Sequence, residues 1–205
     1  AVVGLSCRFP GGSNDEEKYW KLLAGQKDAI VEVPKDRWDI DAYYDPDPET
    51  PGKMATRYGG FLRGVDVAEF DAEFFGISPK EAQTMDPQQR LLLECAWEGL
   101  ENAGYVPSRL AGSRTGVFVG LATTDYARLL SRDGTAGIDP YLGTGTMFSA
   151  AAGRISYTLG LQGPAMALDT ACSSSLYALH HAVNALKNGE CDLAIVGAAN
   201  VMVAP

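Results

Sequence analysis

A short apolar stretch that passes directly into a helix constrains this chain more than any other feature. Ala165-Met166-Ala167-Leu168 is bounded upstream by Gly160 and Gly163-Pro164, as a buried strand would be. Beyond Asp169-Thr170-Ala171-Cys172-Ser173-Ser174-Ser175, the residues Leu176, Leu179, Val183 and Leu186 recur at helical spacing until Asn188-Gly189. Cys172 therefore falls where a strand hands over to a helix. Unpaired backbone N–H groups and the positive end of the helix dipole favour an anion there. A free thiol is only a few per cent thiolate at neutral pH, and a helix terminus worth roughly 1–2 kcal/mol would raise that share to roughly a quarter. The same N–H groups could hold a developing oxyanion. From position alone a second reading stays open, in which Cys172 is a small buried hydrophobe.

The rest of the chain alternates the same two kinds of element. Ala1–Ser6 reads as a central strand closed by Arg8-Phe9-Pro10-Gly11-Gly12. Asn14 or Asp15 caps a helix carrying Tyr19, Trp20, Leu22 and Leu23 that ends at Gly25. Residues 34–60 are rich in Pro, Gly and Asp, a long loop of the kind that serves function or assembly. Phe70, Phe74 and Phe75 form an aromatic cluster assigned to the core. Asp86-Pro87-Gln88-Gln89 opens a helix with an acidic cap, a proline at the first position and glutamine three residues after the cap. That helix runs through Leu91, Leu92, Cys95, Ala96 and Leu100 to Gly104. Thr115–Leu121 is apolar enough to be a strand buried on both faces. Helices are expected over 123–133 and 147–159, with a glycine-rich turn between them, and a fourth strand over Leu193–Ala199. Strand–helix alternation implies a layered α/β sheet.

Composition removes several functions. The net charge of −9 argues against a nucleic-acid partner and an acidic membrane surface. In residues 1–51 eleven acids face six bases, a solvated face that could also repel or orient a charged carrier protein. The four cysteines show no metal spacing, and with no secretory leader they indicate reduced, cytoplasmic usage. The longest apolar run, from Leu193 to Pro205, is too short to span a bilayer. The chain starts on strand-like residues without methionine and stops after another strand-like run, so it reads as cut from a longer polypeptide.

The remaining motifs carry less. Gly143-Thr144-Gly145-Thr146 lacks the third glycine of a dinucleotide fingerprint and follows a loop, and neither a Walker sequence nor a Gly-x-Ser-x-Gly elbow is present. His180 and His181 lie eight and nine residues after Cys172 on the same helix. At 1.5 Å per residue that is roughly 12–13 Å, beyond a Cys–His hydrogen bond. They point about 100° apart and make poor joint metal ligands. No metal site is expected.

Taken together, the motifs identify a resemblance. DTACSSSL at 169–176 is similar to the active-site segment of β-ketoacyl synthases, within the thiolase superfamily. CRFPGG at 7–12, FFGISPKEA at 74–82, MDPQQRLLLE at 85–94, RTGVFVG at 114–120, SAAAGRISYTLGLQGPA at 149–165 and GECDLAIVGAANVM at 189–202 all resemble ketosynthase domains of modular type I polyketide synthases. The resemblance implies a thiolase-like layered α/β/α fold, of which residues 1–205 would be the N-terminal half, with a mixed, mostly parallel sheet covered by helices. It implies that Cys172 accepts an acyl chain from the phosphopantetheine arm of an acyl carrier protein and supplies one oxyanion N–H. A malonyl-type extender would then lose CO₂, and its carbanion would attack the Cys172 thioester. No cofactor would be bound directly. Ala171 would border the acyl pocket, and residues 141–149 would approach the two-fold axis of a homodimer. The family's two decarboxylating histidines lie further downstream, and Gly143–Thr146 does not take that role. Residues 1–205 alone are expected to be inactive in condensation and poorly folded.

Alternatives remain at this level. Cys172 separates the chain from chain-length-factor-like relatives, which typically replace it. A transfer-only, non-elongating ketosynthase would keep it. The CRFPGG and DPQQRLLLE segments favour the polyketide group over a fatty-acid-synthase ketosynthase.

Overall fold

The computed structural model describes every residue except 133 and 135–137. It divides into two compact units: Cys7–Glu69 with Val201–Pro205, and Ala1–Ser6 with Phe70–Asn200.

In the first of these, helix α1 (Glu16–Ala24) starts at Asp15, whose carboxylate accepts the Lys18 N–H at 2.7 Å. Strand β1 (Val31–Glu32), helix α2 (Ile40–Tyr43) and strand β2 (Tyr58–Gly59) follow. The two strands pair antiparallel, Val31 opposite Gly59 and Glu32 opposite Tyr58. Val33, Ile40 and Phe61 form a small core joined by Trp38, Tyr44, Met54 and Met202. Arg57 ties the rim, pairing with Glu32 at 2.7 Å and Asp41 at 2.8 Å. The long Pro/Gly/Asp-rich stretch is thus a folded element with its own hydrophobic centre.

The other unit holds helices α3 (Pro79–Thr84), α4 (Pro87–Asn102), α5 (Asp125–Leu130), α6 (Leu142–Thr146), α7 (Phe148–Thr158) and α8 (Ser174–Lys187), with strands β3 (Thr115–Gly120), β4 (Ala165–Leu168) and β5 (Leu193–Ala198). The three strands form one parallel sheet in the order β4-β3-β5. Val117 and Val119 face a core built with Leu93, Leu100, Ala152 and Ile155, while Phe118 faces Ala178, Ala182 and Ala185. The period-2 alternation of β3 therefore places α4 and α7 on one side and α8 on the other. This is the expected α/β/α layering, with β3 buried throughout.

Two strand expectations fail. Ala1–Ser6 is not a strand: no described strand flanks it, and it runs along α4, with the Leu5 N–H on Asn102 Oδ1 (3.0 Å) and the Ser6 hydroxyl on Glu98 Oε2 (2.7 Å). Val2, Val3 and Leu5 are exposed. Strand β4 is paired on one side only among the described strands, with Ala165 exposed and Met166, Ala167 and Leu168 half-buried rather than buried. The apolar stripe of α8 faces outward, with Leu176 72% exposed, and the sheet takes Ala178, Ala182 and Ala185 instead. The helix approaches β3 too closely for leucine there: a Cβ on Gly120 would lie 2.8 Å from the Ser174 carbonyl carbon.

Helix α4 begins as the capping pattern predicts, with the Asp86 carboxylate accepting the Gln88 N–H at 2.8 Å. The glutamine at the third position does not close a capping box. The Asp86 N–H instead donates to Gly145 O at 2.8 Å, and Gln89 Nε2 reaches Thr144 O and Met147 O at 3.3 and 3.2 Å. Gly143–Thr146, expected as a turn, forms helix α6 against that helix start.

Asp86 is buried, and burial pushes its pKa up against the opposing pull of the Gln88 hydrogen bonds and Arg90. A carboxyl whose folded value is raised stabilises the fold below its ordinary value of 3.8 and loses that contribution as pH rises through the folded value. Asp86→Asn keeps the cap acceptor without the charge. In a full-length domain it is expected to melt at or above the wild-type temperature at neutral pH, the gap closing in acid. Melting curves across pH check this, and a lower melting temperature at pH 7 would show the charge to be needed.

Candidate functional site

Where β4 ends, the chain makes a single tight turn before α8. Ala171–Ser173 is one turn of 3₁₀ helix, and Ser174 starts the α-helix. Ala171 carries φ +54°, one of two non-glycine residues in the left-handed region among those described. The turn is held by its own polar groups. Asp169 Oδ1 accepts the Ala171 N–H at 3.0 Å, and buried Ser174 Oγ accepts the Thr170 N–H at 2.9 Å while donating to Ala171 O at 2.7 Å. Ser173 Oγ lies 2.8 Å from Thr170 O and 2.9 Å from Thr170 Oγ1. Ser173 and Ser174 are therefore the braces of the turn.

Among the four cysteines Cys172 alone is exposed; Cys7 and Cys95 are half-buried and Cys191 is buried. Burial pushes the Cys191 thiol up, further from reactivity. The reading of Cys172 as a packed hydrophobe fails. The residue is exposed just before a 14-residue helix, and backbone hydrogen bonds of the turn run from the N–H groups of Ser173 and Ser174.

The left-handed residue makes a local prediction. That conformation costs an L-residue roughly 1–2 kcal/mol and is worse for a β-branched side chain. Ala171→Gly is expected to leave the fold as stable or more so, and Ala171→Val to lower the melting temperature. Equal melting temperatures for the two would remove the strain.

The site lies at the carboxyl edge of the parallel sheet, where open α/β sheets bind ligands. The Leu121 N–H donates to Leu168 O at 3.1 Å and the Ala199 N–H to Gly120 O at 3.2 Å, aligning the exits of all three strands. After β3 comes Thr123, whose Oγ1 lies 3.1 Å from Gln88 Oε1 and 3.3 Å from Asn200 Oδ1, the latter following β5. Gln88 Nε2 donates to Thr123 O at 3.1 Å and Asp86 Oδ2 at 3.3 Å. Sequence reasoning misses Gln88, Thr123 and Asn200, because glutamine at a helix start signals capping and nothing local shows its side chain turning back to another loop.

His180 is exposed and His181 half-buried; His180 Nε2 sits 2.9 Å from Asn184 Nδ2, and His181 packs edge-on to Tyr177 at 4.8 Å. Among the described residues no group of three or more His, Cys, Asp or Glu could hold a metal ion, and no helix is long and apolar enough to cross a membrane.

Comparison with known proteins gives a consistent result. The family described as "Beta-ketoacyl synthase, N-terminal domain" matches residues 1–205. Polyketide synthase GfsB of Streptomyces halstedii is 57% identical over the whole chain, which spans 4% of that protein. Pikromycin polyketide synthase component PikAII of Streptomyces venezuelae is 54% identical, again over the whole chain, which spans 5% of its length. Among solved structures, the oxazolomycin ketosynthase domain OzmH KS7 of Streptomyces albus superposes with a TM-score of 0.88 at 41% identity, covering all of this chain and 35% of that one. The ketosynthase from module 6 of the bacillaene synthase of Bacillus subtilis gives 0.85 at 38% identity, with 32% of its chain covered.

Proposed function

The chain belongs to the β-ketoacyl synthase family, and from that premise we propose that Cys172 is the acyl-accepting nucleophile of a polyketide-synthase ketosynthase. One observation carries the reading: the single exposed thiol of the chain stands on a braced left-handed turn at the start of α8. The thiolate attacks the carbonyl of an acyl thioester presented on the phosphopantetheine arm of an acyl carrier protein. Backbone N–H groups of the turn, that of Cys172 first, hold the tetrahedral oxyanion. Collapse breaks the carbon–sulfur bond to the carrier, whose thiolate takes a proton from solvent, and the acyl group stays on Cys172 as a thioester. In the second half-reaction a malonyl-type thioester loses CO₂, and its carbanion attacks the Cys172 thioester and releases the cysteine thiolate. His180 and His181 are not offered for the decarboxylation, since each is engaged within α8, His180 with Asn184 and His181 with Tyr177.

We propose further that Ala171 borders the acyl chain, since it immediately precedes the nucleophile, and that 141–149 belongs to a homodimer contact. The acidic surface of residues 1–51 suits a carrier-protein encounter governed by charge, and cytoplasmic placement fits reduced cysteines. The experiment is a two-stage assay on a full-length ketosynthase domain: acyl loading alone, then loading followed by a malonyl-carrier. Loading with extension by two carbons supports condensation. Loading with no extension supports the transfer-only reading, and no loading overturns the assignment of Cys172.

A further inference from the structure

In the unit built on Cys7–Glu69, two nitrogens of a buried cation lack a hydrogen-bond acceptor. The Arg37 side chain is only 6% exposed, yet its Nε and Nη1 make no hydrogen bond, and the neighbouring Trp38 Nε1 is buried and unpaired as well. Among the described residues the carboxylate beside it, Asp36, stands 3.9 Å from Nε, beyond hydrogen-bond reach, and is 76% exposed to water. The other acids close to it in sequence are committed elsewhere. Asp39 Oδ1 accepts the Asp41 N–H at 3.1 Å, Glu32 and Asp41 pair with Arg57, and Asp45 and Asp47 accept N–H groups of their own loop.

Guanidinium stays protonated at any accessible pH and, like indole N–H, can only donate. Buried guanidinium N–H groups left without acceptors are disfavoured, and folded chains avoid this by supplying a partner. We propose that Arg37 and Trp38 form a receptor for a single carboxylate, an acceptor-only group whose one negative charge matches the one positive charge. A phosphate dianion would leave excess negative charge in a segment where eleven acids already face six bases. The turn that presents Arg37 is fixed by its N–H on Pro34 O at 3.0 Å, and Trp38 is fixed against Phe61, ring centroids 5.7 Å apart. The donors are thus held in place before the anion arrives.

Hydrogen–deuterium exchange read by mass spectrometry on the full-length polypeptide tests this locally, in peptides covering 31–40 and 54–61. Arg37→Met keeps much of the buried volume and removes the charge; Arg37→Lys keeps the charge. If a carboxylate sits on Arg37, the methionine variant exchanges several-fold faster than wild type and the lysine variant lies between them. If nothing sits there, removing a cation whose buried donors are unpaired leaves exchange unchanged or slows it, and the proposal is wrong. Equal acceleration by Lys and Met would also overturn it, because charge would then be immaterial. Acetate at constant ionic strength separates the sources. Slower exchange in wild type but not in Arg37→Met identifies a free carboxylate ligand, whereas no effect of acetate on wild type, with Arg37→Met still deprotected, identifies a carboxylate of the polypeptide itself.

Discussion

Cys172→Ala is expected to abolish acyl loading of a full-length ketosynthase domain, while Cys95→Ala and Cys191→Ala each still take up one acyl group. The distinction rests on access and on ionisation. Cys172 is exposed on its turn; Cys95 is half-buried along α4, and Cys191 is buried where β5 begins. Burial already pushes the Cys191 thiol up, so it would have to leave the core before it could ionise and react. Removing a nucleophile that forms the covalent intermediate eliminates the intermediate, whatever residual binding remains. Intact-protein mass spectrometry after incubation with an acyl thioester reads the outcome directly. An acyl adduct persisting in Cys172→Ala, on a single site, would transfer the chemistry to another residue.

Much of the architecture that holds this sulfur was legible in the residues. The unbroken apolar run of β3 marked a strand buried on both faces, and Asp86-Pro87 marked the start of α4. The handover from β4 to α8 marked the position of Cys172. What stayed illegible depended on distances between elements. Helical periodicity shows that Leu176, Leu179, Val183 and Leu186 share a face, but not that the sheet lies against the opposite one, where only Ala178, Ala182 and Ala185 fit. Strand-like composition at Ala1–Ser6 could not supply the neighbouring strand whose N–H and C=O groups a ladder requires. The left-handed Ala171 was also hidden, because alanine does not advertise positive φ as glycine would.

Gly120 is where those distances become testable. It is the last residue of β3, opposite Leu168 on one side and Ala198 on the other, and it faces the first turn of α8. A Cβ there would stand 2.8 Å from the Ser174 carbonyl carbon, 2.9 Å from the Ser175 nitrogen and 3.0 Å from Ser174 Cβ. Two of these three atoms are backbone, so no rotamer change relieves the clash; either the strand or the helix start must move. Overpacking of this kind costs about 1–3 kcal/mol. The chemical consequence should be larger than the thermodynamic one, because Ser174 Oγ bonds both Thr170 N and Ala171 O and so transmits any shift into the turn of Cys172. A displacement near 1 Å at a reacting group can cost about 10²-fold in rate. Gly120→Ala in a full-length domain is therefore expected to slow acyl loading by about that factor with a modest fall in melting temperature. Gly153→Ala, in the interior of α7 where an added Cβ meets nothing within 4 Å, should load at the wild-type rate and melt no lower. If Gly120→Ala loads at the wild-type rate, the tight approach of β3 to α8 does not set the position of the sulfur.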